Sequence, residues 1–275
     1  MKLKFEKYEL ALLAAVLALV ALAMAAPAVA QSAHHHHFAD QRAWGWVPFA
    51  ADVFSNLPFL IWGGLGLTLL ARQAQGIGHR AVAASRGLMG LFFAGLVVTA
   101  FVSAFYHWQP DDAGLVFDRL GMVVAFAGLI GLAAAGRVSA RAGELLALAV
   151  LLLGPLSIWV WSASGNVLPW AVLQFGGMLL VLGLALLKRL PGAPAIHWGW
   201  VIVIYALAKC FELTDEAVFA ATAQIISGHS LKHLMASFTA LPVIFALMAD
   251  RKSRAEFAST SRAAKLAVNP KKLVA

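Results

Sequence analysis

The sequence contains almost no cysteine and little charge. Cys210 is the only cysteine among 275 residues, which excludes an internal disulfide framework and a Cys-x-x-Cys site. Charged residues account for 12% of the chain and hydrophobic residues for 61%, and the mean hydropathy is +0.81. Because a soluble domain cannot bury so much apolar surface, this composition predicts an integral membrane protein. The chain also lacks an internal repeat and a glycine-rich nucleotide loop, so neither a repeat array nor a nucleotide-binding fold is predicted.

Long apolar runs dominate the chain after residue 45. The hydrocarbon core of a bilayer is ~30 Å thick, and a helix needs roughly 20 residues to cross it. Seven runs reach about that length, so we predict an all-α, integral membrane seven-transmembrane-helix bundle. The predicted spans are Pro48–Ala71, Gly87–Trp108, Leu115–Gly136, Gly143–Trp161, Val167–Leu187, Ile196–Leu213 and Gly228–Ala249.

An additional apolar run, Leu10–Ala30, precedes these spans. It follows three lysines and ends in Ala-Val-Ala, a pattern typical of a cleaved secretory signal peptide. An uncleaved extra helix is the alternative. The predicted organisation is a signal peptide or extra helix at 1–30, an extracytoplasmic segment at 31–47, the seven-helix domain at 48–249 and a basic tail at 250–275.

The basic residues are distributed asymmetrically along the chain, which has a formal net charge of +8. Lys and Arg occur in the loops after the first, third and fifth predicted spans and in the C-terminal tail. The alternate loops, near 109–114, 162–166 and 214–227, contain neither residue. This pattern indicates membrane topology rather than a nucleic-acid surface, and the positive-inside rule places the basic loops and the tail in the cytoplasm.

Five polar residues converge on one side of the membrane in this topology. Ser103 and His107 lie at the outer end of the second span, Asp118 near the outer end of the third, and His229 and His233 at the outer end of the seventh. Ionisable groups inside spans are costly and usually mark function. Both the two histidines of the seventh span and the Ser103–His107 pair are four residues apart, so each pair shares a helix face.

These residue types can form a metal site. Two histidines at that spacing can direct their imidazoles at one ion, and His107 can supply a third nitrogen. Three protein ligands and a water are typical of catalytic zinc, whereas a structural site closes with four protein ligands. In a hydrolase, Asp118 would orient or deprotonate the water and Ser103 would contact the substrate carbonyl. The alternative is a non-enzymatic receptor or transporter with a structural metal, in which Asp118 is the fourth ligand.

Further polar residues share the predicted depth of the cluster. They are candidates for contacts with the metal ligands or the substrate, although some of them can equally form structural ion pairs with one another. The run His34–His37 precedes the first span in a segment that we expect to be exposed, and we assign it no catalytic role. The additional candidates are Asp52, Asn56, Lys209, Glu212 and Asp215.

Five segments carry these residues in a characteristic order. They are DVFSNLPFL at Asp52–Leu60, SAFYH at Ser103–His107, PDDAGLVFDRL ending at Leu120, YALAKCFELTD at Tyr205–Asp215 and SGHSLKHL at Ser227–Leu234. Together they resemble the bacterial, alkaline phytoceramidase-like branch of the alkaline ceramidase family. That family belongs to a superfamily of seven-helix membrane hydrolases that includes the adiponectin-receptor-like proteins. The resemblance covers residues 38–250.

The resemblance implies a chemistry for the cluster. It implies zinc bound by His107, His229 and His233, with Asp118 as general acid or base and Ser103 as a contact to the oxyanion or the substrate. The implied reaction cleaves the amide of ceramide, a membrane lipid, into a sphingoid base and a fatty acid. The bacterial branch implies a multi-pass protein of the plasma membrane, and the loop charges predict that the site lies towards the outer leaflet.

The chain departs from the family before and within the first span. Eukaryotic members have an acidic calcium-binding stretch there, whereas the segment Phe38–Trp46 contains Asp40 as its only acidic residue. We therefore expect no calcium site. Asp52 stands near the position where the family has a glutamate, and the exact lipid substrate stays open.

Overall fold

The computed structural model describes residues 6–72 and 80–250, and within them the chain is helical apart from turns and two isolated β-bridges. The predicted all-α fold is therefore confirmed. From residue 251 onward the predicted tail lies outside the described residues. The helices are α1 (Lys7–Ala25), α2 (Ala50–Phe54), α3 (Leu57–Ala71), α4 (Arg80–Trp108), α5 (Asp112–Arg137), α6 (Ala140–Ser164), α7 (Leu168–Ala171), α8 (Gly177–Ala185), α9 (Trp198–Leu213), α10 (Asp215–Ala221) and α11 (Gly228–Ser237).

Seven helical stretches of the described chain are long and apolar enough to cross a membrane. One of them is α1, and the other six correspond to predicted spans. A π-helical turn, Val172–Gly176, joins α7 to α8, and the helix that begins with α11 extends to Asp250. The predicted span 196–213 forms α9, whose 16 residues are fewer than a bilayer crossing requires. It ends at Leu213, as predicted, and begins two residues after the start of the predicted span; beyond it the chain turns at Thr214 into α10.

Close packing of α4 against α5 forms the centre of the bundle. Gly95 faces the backbone of Ala125, and Gly128 faces the backbone of Phe92, so that a Cβ at either glycine would collide with the opposite helix. Small residues that permit such close backbone approach are a common feature of membrane helix pairs. This contact fixes the ends of α4 and α5 relative to each other, and these ends carry His107 and Asp118.

Helix α1 lies beside the bundle and contacts it at both ends. At its start, the Glu9 carboxylate accepts a hydrogen bond of 2.6 Å from the Ser139 hydroxyl. Beyond its end, the Val29 amide donates to the Asn166 side chain at 3.0 Å, and the Val29 carbonyl accepts from the Val167 amide at 2.8 Å. These contacts are those of an extra helix, while cleavage after residue 30 stays a prediction.

Candidate metal centre

The three histidines lie on helix ends that meet at one end of the bundle. His107 is the penultimate residue of α4, and His229 and His233 occupy the first two turns of α11. Helix α11 begins where it does because the Ser227 hydroxyl caps it and accepts the Ser230 amide at 3.0 Å. All three imidazoles are buried. The predicted convergence of the three histidines is therefore observed.

The distances within this histidine cluster suit a single metal ion. One nitrogen from each ring can be chosen so that all three lie within 4.8 Å of one another, and the Nε2 atoms of His107 and His229 are 3.3 Å apart. Two nitrogens that each lie about 2.0–2.1 Å from a tetrahedral zinc are themselves roughly 3.3 Å apart. This one pair of nitrogens thus has the separation of two ligands on a tetrahedral zinc, and the third nitrogen lies close enough for the group to hold a metal ion.

Hydrogen bonding prepares His233 as a ligand. The Ser55 hydroxyl donates to the Asp52 carbonyl at 2.9 Å and lies 2.7 Å from Nδ1 of His233. Because this hydroxyl proton is engaged, the oxygen accepts the Nδ1–H of the imidazole. The proton on Nδ1 leaves Nε2 as a free lone pair, and this buried atom has no hydrogen-bond partner among the described residues. Such support of a ligand histidine from behind is typical of metal sites.

A charged network borders His229. The Lys232 ammonium lies 2.9 Å from Nε2 of His229 and 3.4 Å from the Glu212 carboxylate, which also pairs with Lys209. An ammonium that donates to a ligand nitrogen competes with a metal cation for the same lone pair. Metal binding through this nitrogen therefore requires Lys232 to release His229, and Glu212 is the remaining partner of the ammonium.

Ser103 and Asp118 face the same space as the histidines. Both side chains are buried, a side-chain hydrogen bond connects them, and they line a cavity of about 710 Å³ together with His229 and His233. This volume is in the range of small-molecule sites. The other walls of the cavity are largely apolar and include Phe59, Phe92, Leu96, Met122 and Phe126.

Two of the additional candidates lie behind the cluster rather than in the cavity. The Asp52 carboxylate accepts the Ser230 hydroxyl at 2.6 Å and the Ser227 hydroxyl at 3.4 Å. The Asn56 amide donates to the Asp52 carbonyl at 2.9 Å. These contacts attach the start of the first predicted span to the start of α11 and so position the histidines of that helix.

The other three additional candidates line the cavity. Lys209 and Glu212 belong to the network described above. The Asp215 carboxylate accepts the backbone amides of His229 at 2.8 Å and Ala39 at 2.9 Å. An acidic side chain at a helix N-terminus is favourable, because it meets the positive end of the helix dipole. Asp215 therefore links α11 to the segment that precedes the first predicted span.

That preceding segment covers the site, which the sequence interpretation missed. The Phe38 ring packs on the rings of His107 and His229, with centroid separations of 4.7 and 4.4 Å. His34, His35 and His37 line the cavity; His34 and His37 are exposed, as expected for this run, whereas His35 and His36 are half-buried. His36 is held by the Tyr106 hydroxyl at 2.9 Å and by Asp112 at 3.0 Å.

The environment of His35 disfavours its protonation. Burial, followed by the positive charges of Arg119 and Lys232, lowers the pKa of His35 from its ordinary 6.5 to about 4. The imidazole is thus neutral at neutral pH. Spacing could not reveal this placement, because the segment reaches the cavity only through the fold of the whole chain.

Fold and site define a multi-span helical membrane protein with a buried three-histidine cluster that can hold a metal ion. The sequence matches no protein-family model and no curated protein. The activity therefore has to be argued from the motifs and from the geometry of the site.

Proposed function

We propose that the protein is a zinc-dependent membrane amidase that hydrolyses ceramide or a related N-acyl lipid to a fatty acid and an amine. One observation carries the proposal: the buried histidine cluster opens on a largely apolar cavity whose polar wall also contains Ser103 and Asp118. We further propose that the protein resides in a bacterial plasma membrane and that the site faces the outer leaflet, as the distribution of charged loops suggests.

The residues of the site divide the reaction between them. His107, His229 and His233 hold the ion, and zinc when bound supplies a Lewis acid and makes a water more acidic. Hydrolysis adds the water oxygen to the carbonyl carbon, breaks the C–N bond and transfers a proton to the leaving nitrogen. Asp118 takes the proton from the water and returns it to the amine. Ser103 donates a hydrogen bond to the carbonyl oxygen, where negative charge develops.

The cavity supports a lipid substrate. Its aromatic and aliphatic walls suit an acyl chain, because burying each methylene is worth about 0.8 kcal/mol. Its polar lining includes Ser103, Asp118, His229 and His233, and the amide must lie beside these groups. The resemblance of the five sequence segments to alkaline ceramidases agrees with a substrate that has an acyl chain and an amide.

A second candidate is a receptor or transporter with a structural metal. Phe38 favours it, because this side chain packs against two of the three histidine rings and restricts access to them. In that case Asp118 would complete a closed set of four protein ligands.

Metal analysis combined with a hydrolysis assay separates the two candidates. We expect about one zinc per purified chain and release of fatty acid from at least one N-acyl lipid. His229→Ala should lose both the metal and the activity, whereas Asp118→Ala should keep the metal and lose most of the activity. Full activity in the His229→Ala variant would overturn the amidase proposal. Tightly held zinc without hydrolysis of any N-acyl lipid would support the structural role.

A further inference from the structure

Arg119 is a buried cation that the proposed reaction does not use. It follows Asp118 on α5, lines the same cavity and is only 3% exposed. Its guanidinium carbon lies 4.1 Å from the centroid of the Trp161 ring and 5.4 Å from that of Trp170. Cation–π contacts of this kind stabilise the charge of the guanidinium and leave its N–H groups for hydrogen bonds.

Only some N–H groups of this guanidinium have a hydrogen-bond partner. One terminal nitrogen, Nη2, donates to the Gln31 side-chain oxygen at 2.6 Å. The other, Nη1, is buried and has no hydrogen-bond partner among the described residues. A buried charged donor without a partner is costly, and the planar fork of arginine suits the two oxygens of a carboxylate or phosphate. The cavity therefore presents an unused anion-binding group.

The charges around the cavity also favour an anion. Its wall carries three cations, Arg119, Lys209 and Lys232, and three carboxylates, Asp118, Glu212 and Asp215. Glu212 is already paired with both lysines, and Asp215 accepts two backbone amides. Because the six formal charges cancel, a divalent ion in the histidine cluster would leave an excess of positive charge in the cavity.

The position of Arg119 indicates which part of a lipid it meets. Gln31, its partner, follows α1 in the chain, at the end of the bundle where that helix terminates. Met122, Phe126 and Leu129 follow Arg119 along α5 and line the cavity towards the middle of that helix. An acyl chain therefore fits along these apolar residues, while the polar end of the lipid lies beside Arg119.

We propose that Arg119 binds an anionic oxygen group, a carboxylate or a phosphate, on the amine portion of the substrate. The preferred substrates are then acidic N-acyl lipids with a short amine portion, because Arg119 is adjacent to Asp118. Neutral ceramides are poorer substrates. The assignment of a substrate rests on the proposed amidase function, whereas the binding of an acidic lipid does not.

The test compares two lipids that differ in one charge. Zinc-loaded, full-length protein in nanodiscs is titrated with N-lauroylglycine and with its neutral isostere N-lauroylglycinamide, and both the dissociation constants and the hydrolysis rates are measured. We expect tighter binding of the acidic lipid by about tenfold or more, the usual contribution of a charge-assisted hydrogen bond. Laurate serves as a third ligand that carries the carboxylate of the product.

Three variants and one control decide the role of Arg119. R119Q should abolish the preference for the acidic lipid, and R119K should keep part of it, because lysine offers a charge without the planar fork. Q31E places a carboxylate beside the Arg119 guanidinium, where it competes with an anionic lipid. This variant should weaken the preference for the acidic lipid although Arg119 is unchanged. It therefore tests the role of Arg119 even if R119Q does not fold. R189Q removes an arginine whose guanidinium contacts the Ala193 carbonyl, away from the cavity, and should change nothing.

The outcomes separate this inference from the amidase proposal. Equal binding of the two isosteres by the unaltered protein, or a preference unchanged in R119Q or Q31E, would overturn the role of Arg119. Arg119-dependent binding of laurate but not of N-lauroylglycine would overturn the substrate assignment, because Arg119 would then hold the fatty acid product. If no N-acyl lipid is hydrolysed, the amidase proposal fails, but the binding ratio still decides whether Arg119 recognises an anion.

Discussion

Two cavities in the described part of the chain differ in their polar groups. One is the cavity of about 710 Å³ beside the histidines, and the other is a space of about 390 Å³ between α1, α6 and the helices that follow α6. Both have extensive apolar walls. The smaller cavity has Ser157 and Asn166 as its only polar lining residues, whereas the larger one collects histidines, carboxylates and cations.

The comparison shows which features of a membrane bundle indicate function. Apolar space between helices is inexpensive in a bilayer, since lipid chains are as apolar as the side chains that line it. Burying an ionisable group there costs free energy, and hydrogen bonds or opposite charges must offset this cost. The larger cavity meets this condition through Ser55 behind His233, Asp215 beneath the start of α11 and Glu212 between two lysines.

The largest expected difference between the cavities is in metal binding. His107→Ala removes one of three nitrogen ligands, so the bound zinc should fall from about one per chain to nearly none, together with all hydrolysis. Val150→Ala, in the smaller cavity, truncates a side chain of the apolar wall and should retain both. Elemental analysis of the two purified variants checks this expectation. Equal zinc content in both would show that the histidine cluster is not the metal site.

A smaller effect is expected from the support behind His233. Ser55→Ala removes the hydroxyl that lies 2.7 Å from Nδ1, so the imidazole loses the contact that orients it and fixes its tautomer. Loss of such a contact typically weakens metal affinity about 10–100-fold. Competition with a chelator of known zinc affinity measures the change. Ser162→Ala is the control, because that hydroxyl bonds only its own helix at 3.0 Å, and unchanged affinity in Ser55→Ala would contradict the assigned role.

Local patterns predicted the parts of this site that depend on one helix at a time. The apolar runs predicted where the helices lie in the chain. The four-residue spacings predicted that Ser103 shares a helix face with His107, and His229 with His233. Loop charges alone predicted that these pairs and Asp118 share one end of the bundle. The span that forms α9 ends at Leu213, as predicted, whereas its start lies two residues after the predicted one, because backbone turns at Pro194 and Ile196 precede the helix.

The contacts that complete the site were not predictable in the same way. Ser55 and Phe38 contact histidines that are distant in the sequence, and they follow no spacing rule. Lys232 is an exception, because it lies three residues after His229 on α11, a spacing that does predict contact. Local patterns do not predict the contacts of Arg119 with Gln31 and two tryptophans either, because these contacts arise from tertiary packing. A pattern within one helix cannot show which side chains a different segment brings to it.

The segment over the larger cavity should make the fold sensitive to acid. His35 has a pKa of about 4 in the folded protein and an ordinary value of 6.5, so the unfolded chain binds the extra proton between these values. Stability should therefore fall as pH drops from 6.5 towards 4, by roughly 2 kcal/mol at pH 5. His35→Gln should reduce this loss, and His197→Gln, at the exposed start of α9, should not.

Thermal unfolding of the chelator-treated protein at pH 7 and pH 5 measures this difference. Removing the metal first keeps protonation of the ligand histidines from releasing an ion during the experiment. Those histidines are the same in both variants, so their contribution cancels in the comparison. Identical acid sensitivity in the unaltered protein and in His35→Gln would show that His35 does not contact the larger cavity as described.

The smallest effect is expected from filling the apolar cavity. Ala23 of α1 lines it, and Ala23→Leu adds three carbon atoms to a space bounded by apolar side chains. Burial of these atoms is worth about 0.8 kcal/mol each, but the gain is smaller if lipid chains fill this space in a bilayer. We expect a rise in melting temperature of a few degrees at most, with unchanged zinc content and hydrolysis. A loss of activity in Ala23→Leu would show that the two cavities are coupled, since no residue of the smaller one contacts the histidine cluster among the described contacts.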